Sequence, residues 1–208
     1  VRALLLANGE PPAEELLAAR AAQCDLFVCA DGAAATALAA GLKPHLVLGD
    51  LDSLDAATRQ ALGDTELLRL SDQDTTDLEK AFVTLLERGV TEVLVLGAGG
   101  RRWDHFLANL SVLARYAGRL RIEAEDAWGR LRMLAPGEVL RLDEPVGTTV
   151  SLLPLPRAEG VRTRGLRWEL AGEVLGVGER EGVSNEVGVG AAEVSYKAGC
   201  LAVYWPRR

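Results

Sequence analysis

Residues 67–96, LLRLSDQDTTDLEKAFVTLLERGVTEVLVL, decide how this chain folds. Two apolar runs, at 67–70 and 93–96, bracket a segment in which Leu78, Ala81, Phe82, Leu85 and Leu86 recur at i, i+3, i+4, i+7 and i+8. That spacing lays one apolar stripe along a helix that starts near Asp74, and Gly89 closes it. Strand, helix and strand in succession predict a parallel crossover unit. The same alternation extends outward: apolar runs at 3–7, 26–29 and 46–48 read as short buried strands. A second helix is expected over 103–116, where Phe106, Leu107, Leu110, Leu113 and Ala114 form the stripe. The fold class expected is therefore α/β, with an N-terminal mostly parallel sheet flanked by helices. After Met133 the pattern changes. A turn at Pro136 and Gly137 opens a glycine-rich stretch with strand-like runs at 139–142, 148–153, 193–196 and 201–205. No helical period appears there, so a C-terminal antiparallel β-sandwich is expected, giving domains 1–134 and 135–208.

The 208 residues are 49% hydrophobic, enough to bury a core as one large domain or two small ones, which argues against disorder. No apolar run approaches the ~20 residues needed to span a bilayer, and the opening VRALLLANGEPP is too short in apolar residues for a secretory signal. The expectation is a cytoplasmic protein with no membrane partner. Twenty-three basic residues against 30 acidic give a net charge of −7, with no dense basic run, which speaks against nucleic acid as a partner. Cys24, Cys29 and Cys200 form an odd set without a CxxC pair, so buried thiols are expected rather than disulfides or a zinc ribbon.

Ten of the 12 aspartates lie at or before Asp104, which points to the first half for any chemistry that uses short carboxylates. Four segments place polar groups just beyond expected strand ends, where α/β sheets hold their ligands. CADGAAATA carries Asp31, and VLGDLDSL carries Asp50 and Asp52, two apart and on one side of an extended backbone. In SDQDTTDLEK, Asp72 or Asp74 is expected to cap the helix, with Asp74 and Asp77 three apart on one helix face. LGAGGRRWDHFLAN is a glycine turn entering a helix that brings Arg102, Asp104, His105 and Asn109, the last two on a shared face. It matches neither the P-loop nor GxGxxG. Carboxylates gathered on one side repel each other and a polyphosphate unless a divalent cation lies between them, so a Mg-nucleotide is the economical ligand.

These segments, Ala30-Asp31-Gly32, Gly49-Asp50-Leu51-Asp52-Ser53, Gln73-Asp74-Thr75-Thr76-Asp77 and GAGGRRWDHFLAN at 97–109, resemble in order the motifs of the thiamin pyrophosphokinase (thiamin diphosphokinase) family. GLRWEL from Gly165 and Ser184-Asn185-Glu186 are similar to the family's thiamin-side segments. The resemblance implies Mg²⁺-assisted transfer of a diphosphoryl group from ATP to the hydroxyethyl oxygen of thiamin, giving thiamin diphosphate and AMP. It implies Asp31, Asp50, Asp52 and Asp77 as the residues that organise the metal, and Asp50, Asp52, Asp74, Asp77 and Arg102 as the catalytic set. On the ATP side it implies Asp31, Thr76, Asp104, His105 and Asn109, and on the thiamin side Trp168, Ser184 and Asn185. It further implies that 1–134 is the nucleotide and Mg-binding catalytic domain and 135–208 the thiamin-binding and dimerisation domain of a homodimer whose acceptor site lies where two subunits meet. The chain departs from the pattern at Arg101, where many bacterial relatives have glycine, leaving Arg101 and Arg102 both open as the phosphate ligand. Gln73 stands where bacteria commonly have lysine. Two other readings use the same residues: a pyrophosphokinase for another heterocyclic alcohol such as a hydroxymethylpterin, and a nucleotide- or thiamin-binding module without turnover.

Overall fold

The computed structural model describes residues 1–72, 74–100 and 102–207. Strands β1 (Arg2–Leu6), β2 (Leu26–Ala30), β3 (Leu46–Gly49), β4 (Glu66–Arg69) and β5 (Glu92–Leu96) alternate with helices α1 (Glu14–Ala21), α2 (Ala33–Ala39), α3 (Ala56–Leu62), α4 (Asp77–Glu87) and α5 (Trp103–Tyr116). Every pairing among these strands is parallel, in the order β4-β3-β2-β1-β5. Leu4 pairs with Phe27 on one side and with Leu94 on the other. Successive side chains of a strand point to opposite faces, yet Ala3, Leu4, Leu5 and Leu6 are all buried, so both faces of β1 are covered. This is why the strands read as continuous apolar runs rather than alternating ones.

α4 forms on its expected stripe, with Leu78, Ala81, Phe82 and Leu85 buried; α5 runs over the expected span, but Leu107 of its expected stripe is 60% exposed, while Val112, Leu113 and Tyr116 are buried. The start of α4 differs from expectation. It is capped by Thr76, whose hydroxyl accepts the Glu79 N–H at 3.2 Å, and not by Asp72 or Asp74. Thr76-Asp77-Leu78-Glu79 has the T-x-x-E spacing of a capping box, which outweighs the nearby aspartates. Asp72 instead accepts the Asp74 N–H at 3.0 Å and the Thr75 hydroxyl, folding the turn ahead of the helix. Asp74 is therefore in that turn, not on a helix face with Asp77. At the other end Gly89 takes φ +74°, a backbone that L side chains resist, as the helix stops.

The remaining strands are β6 (Arg121–Glu125), β7 (Gly129–Leu134), β8 (Val139–Leu142), β9 (Thr149–Arg164), β10 (Ala171–Gly176), β11 (Gly182–Glu186), β12 (Ala192–Ser195) and β13 (Ala198–Pro206). From β7 onward every pairing is antiparallel. The 16-residue β9 changes partners along its length, meeting β11, β13, β10 and β12 in turn. Leu134, Leu142, Val150, Leu152, Val161, Leu175, Val194, Leu201 and Val203 form the apolar core those strands enclose.

The chain divides into two compact units, Val1–Val112 with Ala124–Ala127 and Leu113–Glu123 with Trp128–Arg208. The change of sequence pattern at 134 thus falls inside the second unit. β7 belongs with the later strands because it is paired with β13 residue by residue, from Leu134 with Leu201 to Gly129 with Pro206. Among the described residues no helix is long and apolar enough to cross a membrane. Of the cysteines, all free, Cys29 is buried while Cys24 and Cys200 are half-buried, and burial pushes all three thiols up.

Phe82 is fully buried on α4 whereas Val83, its neighbour, is 41% exposed. Phe82→Ala is expected to destabilise the protein by about 3–5 kcal/mol in urea titrations, and Val83→Ala by under about 0.5 kcal/mol.

Candidate active site

Parallel pairing puts the carboxyl ends of β1 to β5 along one edge, and the strand order reverses at β1. From β1 the chain steps outward through β2, β3 and β4, then returns to place β5 on the other side of β1. The loops after β1 and β5 therefore part at that edge, leaving the crevice where open α/β sheets bind ligands. Just beyond the strand ends the two loops are laced together: the Gly9 N–H donates to the Gly97 carbonyl and the Glu10 N–H to the Gly99 carbonyl, both at 2.9 Å. A Cβ on Gly9 would stand 2.2 Å from the Gly97 oxygen, so only glycine permits this approach.

A cavity of about 440 Å³ opens there. Asn8 and Gly9 line it from the β1 loop, Asp50 from the β3 loop, and Asp72, Thr75, Thr76, Asp77 and Lys80 from the α4 entry. Gly99, Gly100, Arg102, His105 and Asn109 line it from the β5 loop and α5. Of the expected residues, Asp50, Thr76, Asp77, Arg102, His105 and Asn109 thus share one wall. His105 and Asn109 meet it together, as their four-residue spacing requires.

Asp31, Asp52, Asp74 and Asp104 are not among the described residues of that wall. Asp31 follows β2 directly and is only 5% exposed. It is held at φ +44° by its N–H to the Leu48 carbonyl at 2.8 Å. Its Oδ1 is buried without a hydrogen-bond partner in the protein. The expected same-side placement of Asp50 and Asp52 does not occur. Leu51 takes φ +62°, so the segment turns instead of extending. Asp50 Oδ1 accepts the Asp52 N–H at 3.0 Å, while the exposed Asp52 carboxylate lies 3.7 Å from Arg69.

Among the described residues no three His, Cys, Asp or Glu side chains gather as a metal cage, so Asp31, Asp50, Asp52 and Asp77 do not converge as a closed set. The donors nevertheless fit Mg²⁺. They are hard carboxylate oxygens, one of them buried and unsatisfied at Asp31. Mg²⁺ takes only one or two carboxylates and completes its shell with water and substrate phosphate.

Several polar groups of the glycine turn are already engaged. Asn109 Nδ2 donates to the Ala98 carbonyl at 2.7 Å and steadies the turn. Arg102 Nε donates to Asp104 at 3.0 Å. This hydrogen bond, with the attraction of the guanidinium, holds the Asp104 carboxyl down at about 2 and raises Arg102. Arg101, the other candidate for the phosphate, lies outside the described residues, as does Gln73. Sequence reasoning missed Asn8 and Lys80. Asn8 follows the switch-point strand, and Lys80 is three residues from Asp77 on the same helix face, so both had a positional signal.

In the second unit, Asn185 is buried and its amide brackets the backbone of Trp168: Oδ1 accepts the Trp168 N–H at 3.1 Å and Nδ2 donates to the Trp168 carbonyl at 2.7 Å. The indole is 53% exposed, with the Arg167 guanidinium 4.8 Å from its centroid. Ser184 is exposed, at φ +60°. Trp168 and Asn185 border a cavity of about 160 Å³ with Leu152, Leu175 and Arg180.

The profile of the thiamin pyrophosphokinase catalytic domain matches residues 17–124, and that of the thiamin pyrophosphokinase vitamin B1 binding domain matches residues 138–201. Thiamine pyrophosphokinase 1 of Oryza sativa subsp. japonica is 32% identical over 158 residues, covering 70% of this chain and 60% of the rice protein. Thiamine pyrophosphokinase of Bacillus subtilis is 30% identical over 119 residues, 54% of this chain and 55% of that protein. The crystal structure of a thiamin pyrophosphokinase family protein from Enterococcus faecalis superposes with a TM-score of 0.81 at 29% identity, covering all of both chains. That of the Bacillus subtilis enzyme gives 0.84 at 22% identity over 99% of each chain, a likeness of fold.

The Asp104 carboxyl is expected to titrate near 2 by NMR. In Arg102→Met its midpoint should return toward the ordinary value of about 3.9. Asn185→Leu removes both bonds to the Trp168 backbone and should cost about 1–3 kcal/mol in urea titrations while shifting the tryptophan emission.

Proposed function

The chain belongs to the thiamin pyrophosphokinase family, and we propose that it transfers a diphosphoryl group from ATP to the hydroxyethyl oxygen of thiamin, with Mg²⁺ as cofactor. The observation that carries this reading is the switch-point cavity, which among the described residues is lined by Asp50, Asp72 and Asp77, by the side-chain cations Lys80 and Arg102, and by Gly99 and Gly100 of the glycine turn. The chain spans about 60% of the length of the matched rice protein.

In the proposed reaction the acceptor oxygen of thiamin bonds to the β-phosphorus as the bond from that phosphorus to the bridging α–β oxygen breaks. AMP leaves with the bridging oxygen, and the alcohol proton is released. When bound, Mg²⁺ neutralises charge on the phosphate oxygens and on the carboxylates facing them. Asp50 and Asp77 would hold it from the cavity wall, with Asp31 and Asp52 acting directly or through water. Asp74 belongs to the turn that sets Asp77 in place, and Thr76 caps the helix carrying it. Arg102, oriented by Asp104, offers its guanidinium to phosphate oxygens, a pairing its planar fork suits. His105 and Asn109 border the nucleotide on α5. Little covalent chemistry is asked of the protein. Positioning and charge neutralisation supply the rate, and no protein nucleophile is required.

The thiamin side is assigned to Trp168, Ser184 and Asn185, presented by a second copy of the chain in a homodimer. The half-exposed indole supports this, since an aromatic face kept in water is available to stack on a heterocycle. Asn185 would act by fixing the Trp168 backbone.

Incubation with Mg-ATP and thiamin should yield AMP and thiamin diphosphate in equal amounts, stop on chelation and resume on adding Mg²⁺. Asp50→Asn and Asp77→Asn should each lower turnover by about 10²-fold or more with little change in folding. AMP formed with a hydroxymethylpterin but not with thiamin would overturn the acceptor, and wild-type rates in both variants would overturn the site.

A further inference from the structure

Lys80 and Arg102 are the two side-chain cations among the described residues that line the cavity, and they are held in opposite ways. Arg102 reaches from the surface, its side chain 68% exposed and paired with Asp104. The Lys80 side chain keeps only 9% of its exposure, and its Nζ lies 3.2 Å from Asp77 Oδ1. Its backbone is locked in the first turn of α4, where its N–H donates to the Thr76 carbonyl at 3.0 Å and its carbonyl accepts the Thr84 hydroxyl at 2.9 Å.

As an element of stability this placement is poor on three counts. A cation in the first turn faces the positive end of the helix dipole. A cation with little access to bulk water needs close pairing, and among the described residues its carboxylate partner, Asp77, is itself 40% exposed. Lysine has the reach to carry its charge to the open surface, yet here the side chain is only 9% exposed and the residue lines the cavity. The arrangement becomes favourable when an anion enters the cavity, because a compact ammonium in a recessed site attracts phosphate more strongly than it could in open water.

We infer that Lys80 is a phosphate-binding residue of this site: its ammonium, aligned by Asp77, takes a non-bridging oxygen of the diphosphoryl group that is transferred. The inference rests on the reaction proposed above and adds to it a contact from α4, a different segment of the cavity lining from that of Arg102. Asp77 then has a second task. It stands beside the lysine that the polyphosphate engages, so the two charges are presented as a pair and the carboxylate's repulsion of phosphate is offset at its source.

The test compares wild type, Lys80→Met and Lys80→Arg by calorimetric binding of Mg-α,β-methylene-ATP, by turnover with thiamin and by melting temperature. Lys80→Met should weaken analogue binding about 10-fold and lower kcat/KM about 10²-fold or more, with a melting temperature equal to or above that of wild type. Lys80→Arg should recover most of the binding. Analogue affinity unchanged in Lys80→Met overturns the inference, as does a loss of affinity that comes with a lowered melting temperature and is not recovered by arginine, since that is a structural role. The binding arm does not depend on the acceptor. Wild type that binds the analogue but fails to turn over thiamin would refute the thiamin assignment while leaving Lys80 to be judged by affinity.

Discussion

The site depends on β1 being a central strand with parallel neighbours on both sides, one of which is reached only after the chain has laid down β2, β3 and β4. Both faces of β1 must then be apolar, and the first residues beyond its end are left at the edge of a crevice. The lacing of Gly9 and Glu10 to Gly97 and Gly99 ties the two parted loops together. Gly9 and Gly99 of those laced loops then line the cavity together. The polar residues placed after β2, β3 and β4 reach that same edge because parallel strands all end there.

Local strain falls at the expected functional segments. Among the described residues, the non-glycine positions with positive φ are Asp31, Leu51 and Ser184. The first follows β2 at the expected metal side, the second separates Asp50 from Asp52, and the third lies beside the asparagine that fixes Trp168. Left-handed backbone in a residue with a side chain is costly and persists only where surrounding contacts overrule it. Asp31 shows how this is done: its N–H is bonded to the Leu48 carbonyl, and Gly49 leaves room for it, since a Cβ there would stand 3.0 Å from that of Asp31. Leu51 is buried, so the turn between the two aspartates is anchored by an apolar side chain.

What could be read from the sequence follows from how strongly each feature depends on local pattern. β1, β2, β3 and β5 are buried on both faces and α4 on one stripe, and each leaves a run or a period that survives without tertiary information, whereas β4, the last strand of that sheet, is largely exposed. β10 and β11 carry glycine and polar residues, and β9 bends past four partners, so only its first part looked like a strand. β7 was obscured by Arg132, a buried residue whose charge is met 2.9 Å away by Glu138 and which reads as surface in a sequence. The motif residues of the site were legible, but their geometry was not. Nothing in GDLDS says that Leu51 is left-handed, and in DQDTTDLEK the aspartates drew attention from the Thr76-x-x-Glu79 cap. Lys80 stands out less in a segment whose pattern is acidic, although its position three residues after Asp77 fixes it to the same face.

These corrections share a physical cause. A cluster of acidic and polar residues at a ligand site cannot consist of ligands alone, because loops that hold charge in place need hydrogen bonds of their own. Asp72 folds the turn before α4. Asp50 closes the turn at Leu51 through the Asp52 N–H and also lines the cavity. Asp104 orients Arg102, Asn109 anchors the glycine turn, and Thr76 caps the helix that carries Asp77 and Lys80. Part of each motif is spent on building the frame and part on meeting the ligand. Because the frame bonds use the short side chains best suited to close backbone contacts, aspartate, asparagine and threonine recur in both roles. A motif of this kind therefore locates a site more reliably than it distributes the work within it, and the distribution is settled by which atoms the backbone has already claimed.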